Sequence, residues 1–390
     1  MRENINVVVV GGGYAGVMAA NRLSQRDNVT VTLVNPRPSF VHRIRLHQLV
    51  GGTGDAVVGY REVLADRVRL VVDTATRIDA AERTVSLANE STVGYDYLIY
   101  AVGSGSAVPS VPGASEYAHN MASLEEAQQL RAVLDATPTT DVVTVVGGGA
   151  TGIEVAAELA AEGRTVTLAC GKVLHPYLHP RIRRTFAKRL AKLGVTIIDG
   201  PGAKVTAVSR DAVLLGDGRE LRSTVTVWTA GFSVPDLAAR SGLTTDAAGR
   251  LLTDETLTSI DDDRIVAAGD SAAPSDMPLR MSCQSANPLG AHAADTVLAR
   301  IAGGQPATIA IGFFGQCVSL GRGAATVQIA SKNDVAKGFA VGGLLGAKIK
   351  SSSFPGLIEH LAHEAHKPGS YTWKFRDDTR HQRLQALAAR

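Results

Sequence analysis

The chain has 390 residues, 45% hydrophobic and 20% charged, with a formal net charge of +3, the balance of a folded protein of two or three domains. So small a charge on so long a chain leaves no electrostatic footprint for nucleic acid. No uninterrupted apolar run is long enough to span a bilayer, and the opening MRENIN enters a strand without the regions of a secretory signal, so the cytoplasm is the expected compartment. Three widely spaced cysteines, Cys170, Cys283 and Cys317, fit a reducing environment and supply neither a C-x-x-C dithiol nor a cysteine zinc site.

The first element is Val7 to Val10, a continuous apolar run of the kind a central parallel strand covered on both faces requires. It runs into Gly11-x-Gly13-x-x-Gly16 and a small-residue helix. In that pattern the first glycine makes a tight turn, the second admits a pyrophosphate, and the third lets the helix pack, its free N–H groups facing the anion. The next strand, Val29 to Val34, ends at Asn35, where an acid commonly receives the adenine ribose; the amide can accept but has lost the charge. Residues 36–48 are rich in Arg and His. Either they form a solvated loop and helix start, or Arg37, Arg43 or Arg45 reaches a pyrophosphate and His47 or Gln48 lies beside a cofactor ring.

Residues 56–95 alternate short strand and turn patterns, including Arg67 to Val72, and predict a β-meander edge. Tyr95 to Ser104 reads as a buried strand ending at Ala101-Val102-Gly103, where the chain can turn close to a ligand. Pro109 to Gly113 reads as a linker, and Ser123 with Glu126 as the capping box of a helix.

A second strand–turn–helix unit follows at Val142 to Glu154, with glycines at 147, 149 and 152. Two such units imply two dinucleotides. The strand after it, Arg164 to Cys170, carries a cysteine at the acidic position, so no carboxylate there repels a 2′-phosphate. Lys172, Arg181, Arg183 and Arg184 either attract that phosphate or form the exposed face of a helix over 180–193. Leu221 to Gly231 repeats the strand-to-glycine arrangement, an internal duplication, and Arg264 to Ser271 ends a buried strand in Gly269-Asp270, where a carboxylate can hold a sugar-like hydroxyl. A small-residue helix is predicted over 289–301.

In this order the motifs resemble the flavin-dependent pyridine-nucleotide oxidoreductases with two dinucleotide-binding domains, most of all the type II NADH dehydrogenase and apoptosis-inducing-factor-like branch. The resemblance implies an α/β fold: two Rossmann-like domains, the FAD domain discontinuous (1–112 and 254–312), an NAD(P)H domain at 113–253, and a small α+β C-terminal domain at 313–390. It implies FAD at Gly11, Gly13, Ala15, Gly16, Asn35, Pro36, Arg37, Arg43, Ala75, Ala101, Val102, Gly103, Gly269 and Asp270. NADH or NADPH would lie at Gly147, Gly149, Thr151, Gly152, Cys170, Lys172 and Gly231, with NADPH slightly favoured by the missing acid. Glu154 falls where nicotinamide meets flavin, and with His47 and Gln284 it is expected to steer the nicotinamide or carry protons, its pKa raised by enclosure.

Three departures bear on the acceptor. Asn35 replaces the flavin-side acid, and of the quinone-linked Ala-Gln-x-Ala-x-Gln pattern only Gln284 and Ala286 survive. Sulfide oxidation needs paired sulfurs near the flavin, and Cys170 belongs at the adenosine end. The resemblance gives hydride transfer from NAD(P)H to FAD and then electrons to a small acceptor, a quinone or quinone-like aromatic; the alternative is a redox sensor or protein-partner reductase with little turnover.

Residues 331–390 hold ten Lys and Arg against five Asp and Glu. Phe354, Leu357, Ile358, Leu361 and Ala365 share one helical face, with His360, His363, Glu364 and His366 on the other. A basic tail with an apolar stripe is compatible with peripheral contact at the inner membrane face, though such a stripe is far more often a domain core or a homodimer face. The histidines lack H-E-x-x-H spacing, and no metal is expected.

Overall fold

The computed structural model describes residues 4–389. Two five-stranded parallel sheets dominate it. The first runs, in order, Ile265–Ala267, Tyr97–Tyr100, Ile5–Val10, Val29–Asn35 and Arg69–Val72. The second runs Ala118–His119, Val225–Trp228, Val142–Val146, Thr165–Gly171 and Thr196–Asp199. In both, the strand that feeds a glycine turn lies in the middle, and each unit carries a three-stranded antiparallel meander, at 75–94 and 205–222. The duplication read from the sequence is therefore one of topology as well as motif.

Burial explains the sequence patterns. Val7 and Val9 are wholly buried, as a strand covered on both faces demands. The helix after it, Tyr14–Leu23, is buried at all ten positions beneath a close cover, its polar residues Asn21 and Arg22 included. That cover is the helix Cys283–Ile301, where a Cβ on Gly290 would meet the Ala15 carbonyl oxygen at 2.1 Å.

Three expectations change. Arg69–Val72 pairs in parallel with Val29–Asn35 at the sheet edge and does not join the meander. The helix expected from 289 starts at Cys283, capped by Ser282, and runs on through Pro288, which has no N–H to give the Gln284 carbonyl. Leu237, Leu243 and Leu251, assigned by sequence to the nucleotide unit, pack with Val8, Val10 and Tyr100 against the first sheet.

The C-terminal part adds an antiparallel sheet, Gly315–Ser319, Ala325–Ala330 and Ala336–Val341, and the long helix Gly343–His366. That helix is locked to the first glycine helix by two adjacent residues. Asn21 donates its amide to the carbonyls of Val63 and Leu361, at 2.7 and 3.0 Å, and accepts from the Ala65 N–H. Arg22 pairs through Nε with Glu364 at 2.8 Å and through Nη1 with Asp295 at 2.8 Å. Glu364 also accepts the N–H groups of Gly369 and Tyr371. Sequence patterning put Glu364 on the solvent face, but it is fully buried. Leu361, Leu357, Ile358 and Ala365 belong to the core beneath the first sheet, so the apolar stripe is core. What the helix exposes instead lies at its start: Leu344, Leu345 and Ile349, beside Phe339 of the preceding strand.

Removing one partner of a buried ion pair leaves the other uncompensated, at a cost of about 3–5 kcal/mol. Glu364→Ala should therefore lower stability by about that much, with hydrogen-exchange protection lost first over 343–366. Unchanged protection there would show that the pair does not hold the helix.

Candidate active site

Both glycine turns are built alike. Gly11 (φ +104°) and Gly147 (φ +123°) take left-handed backbone, and a Cβ on either would collide with the chain leaving the neighbouring strand, at Ala101 and at Thr229. A Cβ on Gly16 or Gly152 would sit 1.8 or 1.9 Å from the carbonyl oxygen of the first glycine of its own turn. At Gly13 and Gly149 the space is open, with nothing within 4 Å. Each turn is thus a cradle closed on two sides and open toward a helix N-terminus, and it fits a dinucleotide pyrophosphate.

Between the turns lies a cavity of about 620 Å³, in the range of ligand sites. The first unit supplies Tyr14, Arg43, His47 and Asp270, the second Thr151, Glu154 and Trp228, and the C-terminal part Phe314, Cys317, Lys350, Phe354 and Trp373. A second cavity of about 650 Å³, lined by Gly149, Arg250, Arg280 and Lys332, shares Thr151 and Thr229 with it. A nucleotide lying along the second glycine turn can therefore place one end in the shared cavity.

Asp270 is set by two donors: Ser104 Oγ to its Oδ2 at 2.7 Å and the Ser282 N–H to its Oδ1 at 3.1 Å. Arg43 reaches Ser104 at 3.2 Å and Asp270 at 4.0 Å, so this arginine does face the cavity. Arg37 does not. It forms a forked pair with Glu125, both contacts 2.6 Å, which holds the Glu125 carboxyl down at about 2. Asn35 is largely committed too: its Oδ1 accepts the Gly12 N–H at 2.9 Å and its amide donates to the Arg37 carbonyl. It braces the turn, a role sequence reasoning gave to no residue.

Glu154 is the centre of the cavity's charge. Lys350 donates to its Oε1, the Ser319 N–H does so at 2.9 Å, and His47 Nδ1 lies 3.7 Å from Oε2. Burial alone would push this carboxyl up, as the sequence led us to expect. The opposing charge of Lys350, the imidazole and the N–H donors outweigh burial, and the pKa is lowered. Glu154 is an anion at neutral pH. His47 moves the other way: burial, then Lys350, push it down to about 4 against the pull of Glu154, so it is neutral. Gln284 lines the cavity but is tied to the C-terminal sheet, its Oε1 accepting the Phe314 N–H at 3.1 Å.

Sequence reasoning missed Lys350, because nothing local in a basic tail marks one lysine as buried at 6% exposure. It also looked at the wrong cysteine. Cys170 does lie away from the cavity, its Cβ 2.8 Å from where one on Gly148 would be, while Cys283 and Cys317 line the cavity. Burial pushes both thiols up to about 11, so neither offers a thiolate nucleophile at neutral pH. Lys172 is exposed, and Asp199, paired in register with Gly171, adds a negative charge that bears on Cys170. The strand end is therefore not free of carboxylate, as the sequence had suggested.

Comparison with known proteins follows the same lines. The family described as pyridine nucleotide-disulphide oxidoreductase matches residues 5–294. An NADH dehydrogenase-like protein of Mycobacterium tuberculosis is 31% identical over 322 residues, covering 75% of this chain and 80% of that protein. The type II NADH:quinone oxidoreductase of the same organism is 29% identical over 77% of this chain and 74% of its own length. The crystal structure of a sulfide:quinone oxidoreductase from Aquifex aeolicus superposes with a TM-score of 0.78 over 94% of this chain and 93% of that one, at 18% identity, which speaks to the fold.

Gly13 and Gly149 have ordinary extended backbone (φ −83° and −78°) and room for a side chain. Gly13→Val should therefore fold and lose FAD, giving colourless protein, while Gly149→Val should stay yellow and lose nucleotide affinity; yellow Gly13→Val protein would refute the first cradle. A separate expectation concerns acid. His42, His47 and His175 are each held at about 4 by burial first of all. As pH falls from 6.5 toward 4 the unfolded chain takes up protons that the folded one refuses, so a urea titration should show stability present above 6.5 and declining through that window.

Proposed function

Because the chain belongs to the pyridine nucleotide-disulphide oxidoreductase family, we propose that it passes electrons from NADH by way of FAD to a quinone or quinone-like aromatic acceptor. The observation that carries this reading is the 620 Å³ cavity onto which both glycine units and the C-terminal part open, with Phe314, Phe354, Leu357 and Trp373 as an aromatic and apolar wall suited to a flat, apolar acceptor. FAD, when bound, supplies the two-electron chemistry. The protein supplies alignment. The first turn, Arg43 and the Ser104–Asp270–Ser282 set hold the flavin nucleotide, and the second turn holds the nicotinamide nucleotide with its reactive end beside Thr151 and Glu154.

Anionic Glu154 orients the nicotinamide end and keeps Lys350 in place. Lys350 brings a positive charge and N–H donors into a largely enclosed space, where an acceptor oxygen gaining negative charge is stabilised and can take a proton. NADH is the donor we favour, since Asp199 opposes a 2′-phosphate near Cys170 and the relatives are named for NADH. Cys283 and Cys317, held as neutral thiols, give no support to sulfide as electron source.

Among the described residues no helix is long and apolar enough to cross a membrane. Phe339, Leu344 and Leu345 are 59–77% exposed, and Lys337 and Lys348 stand beside them in sequence. Ile349 belongs both to this patch and to the cavity wall. We read the patch as the contact with the membrane face through which a lipid-soluble quinone enters.

Anaerobic stopped-flow mixing tests the reading. NADH should bleach the flavin faster than NADPH, and a quinone should restore the colour within seconds; bleached protein that persists with every quinone would instead favour a sensor. Lys350→Met should slow the quinone step by about 10²-fold or more. The double variant Leu344→Asp and Leu345→Asp should no longer float with anionic vesicles while keeping turnover with a water-soluble quinone. A dimer in solution with no vesicle binding would reassign the patch to a second copy.

A further inference from the structure

Beside the second glycine turn stands a histidine that is unfavourable in two ways. His175 has left-handed backbone (φ +45°), a conformation uncommon in any residue but glycine. Its imidazole is also withdrawn from water: the residue is 1% exposed, and among the described residues neither Nδ1 nor Nε2 has a hydrogen-bond partner. Buried polar groups are almost always paired. Strain and unpaired polarity held together at one residue are found where a ligand completes the structure. The other histidine of the same loop is accounted for, since His179 accepts the Arg181 N–H and caps the helix Pro180–Lys192.

The loop that carries His175 is fixed to the glycine cradle. The His175 N–H donates to the Gly148 carbonyl at 2.7 Å, and the His175 carbonyl accepts the Leu178 N–H at 3.0 Å. Leu174 and Leu178 are buried in the core of the second unit, and the ring lies edge-on to Phe186 and Tyr177, with centroids 6.3 and 6.5 Å away. His175 lines the cavity of about 650 Å³ together with Gly149, the open glycine of the turn, and Thr151, which also lines the central cavity. A nucleotide lying along the turn passes this ring.

We propose that His175 binds the diphosphate and adjoining ribose of the nicotinamide nucleotide, one ring nitrogen donating to a phosphate oxygen and the other accepting from a ribose hydroxyl. This rests on the reading of the second turn as the nicotinamide-nucleotide site given above. Burial first of all, then the charge of Arg280, hold the imidazole down at about 4, so at neutral pH the ring is uncharged and offers one donor and one acceptor. Phosphate oxygens only accept, whereas ribose hydroxyls also donate. The place where the two adjoin therefore satisfies both nitrogens at once. The backbone N–H groups of a glycine turn can only donate, so they hold the phosphates and leave the sugar unread. His175 adds the acceptor that the turn lacks.

The test uses the FAD-loaded protein and ADP-ribose, which keeps the diphosphate and both riboses and lacks the nicotinamide. His175→Phe keeps a ring of similar size and removes both nitrogens. Calorimetry should show ADP-ribose bound about tenfold or more weakly by this variant, and anaerobic titration should show NADH weakened by the same factor. FAD content should be unchanged, and the thermal midpoint without nucleotide should equal or exceed that of wild type, since no polar group is then buried unpaired. His175→Asn accepts left-handed backbone and brings back a donor and an acceptor, so it should recover most of the lost affinity. Equal ADP-ribose affinity in wild type and His175→Phe, a fall confined to NADH, a thermal midpoint lowered together with affinity, or an Asn variant that binds no better than the Phe variant would each overturn the role of the ring and leave the electron-transfer reading standing. So would wild-type protein that NADH bleaches but ADP-ribose does not bind. Wild-type protein that neither binds ADP-ribose nor is bleached by NADH would overturn both.

Discussion

The contact between Lys350 and Glu154 joins residues 196 positions apart and determines the charge state of the whole cavity. Two ions withdrawn from water attract each other strongly but lose hydration at comparable cost, so such a pair adds little to net stability and is better understood through what it fixes. Here it fixes an anion where burial favours a neutral acid, and a cation facing the apolar wall on which an acceptor would lie. His47 beside the pair is neutral first of all because it is buried; Lys350 adds to that effect and Glu154 opposes it. Without Lys350 the Glu154 carboxyl would lose the charge that most offsets its burial.

The two glycine turns were legible because their geometry is local. Gly11 and Gly147 need left-handed backbone, and Gly16 and Gly152 need the absence of a Cβ; both demands are met within six residues and leave a mark in the sequence. The parallel strands were legible for a similar reason, as fully buried strands lose their polar alternation. Where the reading failed, the determining contact came from far away in the chain. Arg37 carries the same charge as Arg43 and lies six residues before it, yet one is neutralised by Glu125 and the other faces Asp270. No periodicity in residues 36–48 distinguishes them. Asn35 looked like a weakened ribose ligand and is a brace for the turn, because Gly12 brings its N–H within reach. Lys350, Cys283 and Cys317 came together only through the packing of the C-terminal sheet against the second glycine helix.

The C-terminal stripe is a case in which the pattern was right and its setting was not. Residues 354–365 do form an amphipathic helix, but the face read as apolar surface is core, and Glu364 on the other face is buried against Arg22. An arginine at the end of the first glycine helix, with no carboxylate near it in sequence, is a partner that composition cannot reveal. The exposed apolar residues lie a dozen positions earlier, where glycines at 342, 343 and 346 obscure any helical period.

Asn21 and Arg22 sit in the helix that opens at the first glycine turn, and three of their partners, Leu361, Glu364 and Tyr371, lie in the C-terminal part. A protein cut short before the long helix would keep both parallel sheets and both glycine turns, yet it would expose the underside of the first glycine helix, leave Arg22 with Asp295 alone, and take the Leu361 carbonyl from Asn21. The tail is therefore no appendage to a pair of portable modules. The smallest piece of this polypeptide that can be expected to behave as a catalyst is very nearly all of it.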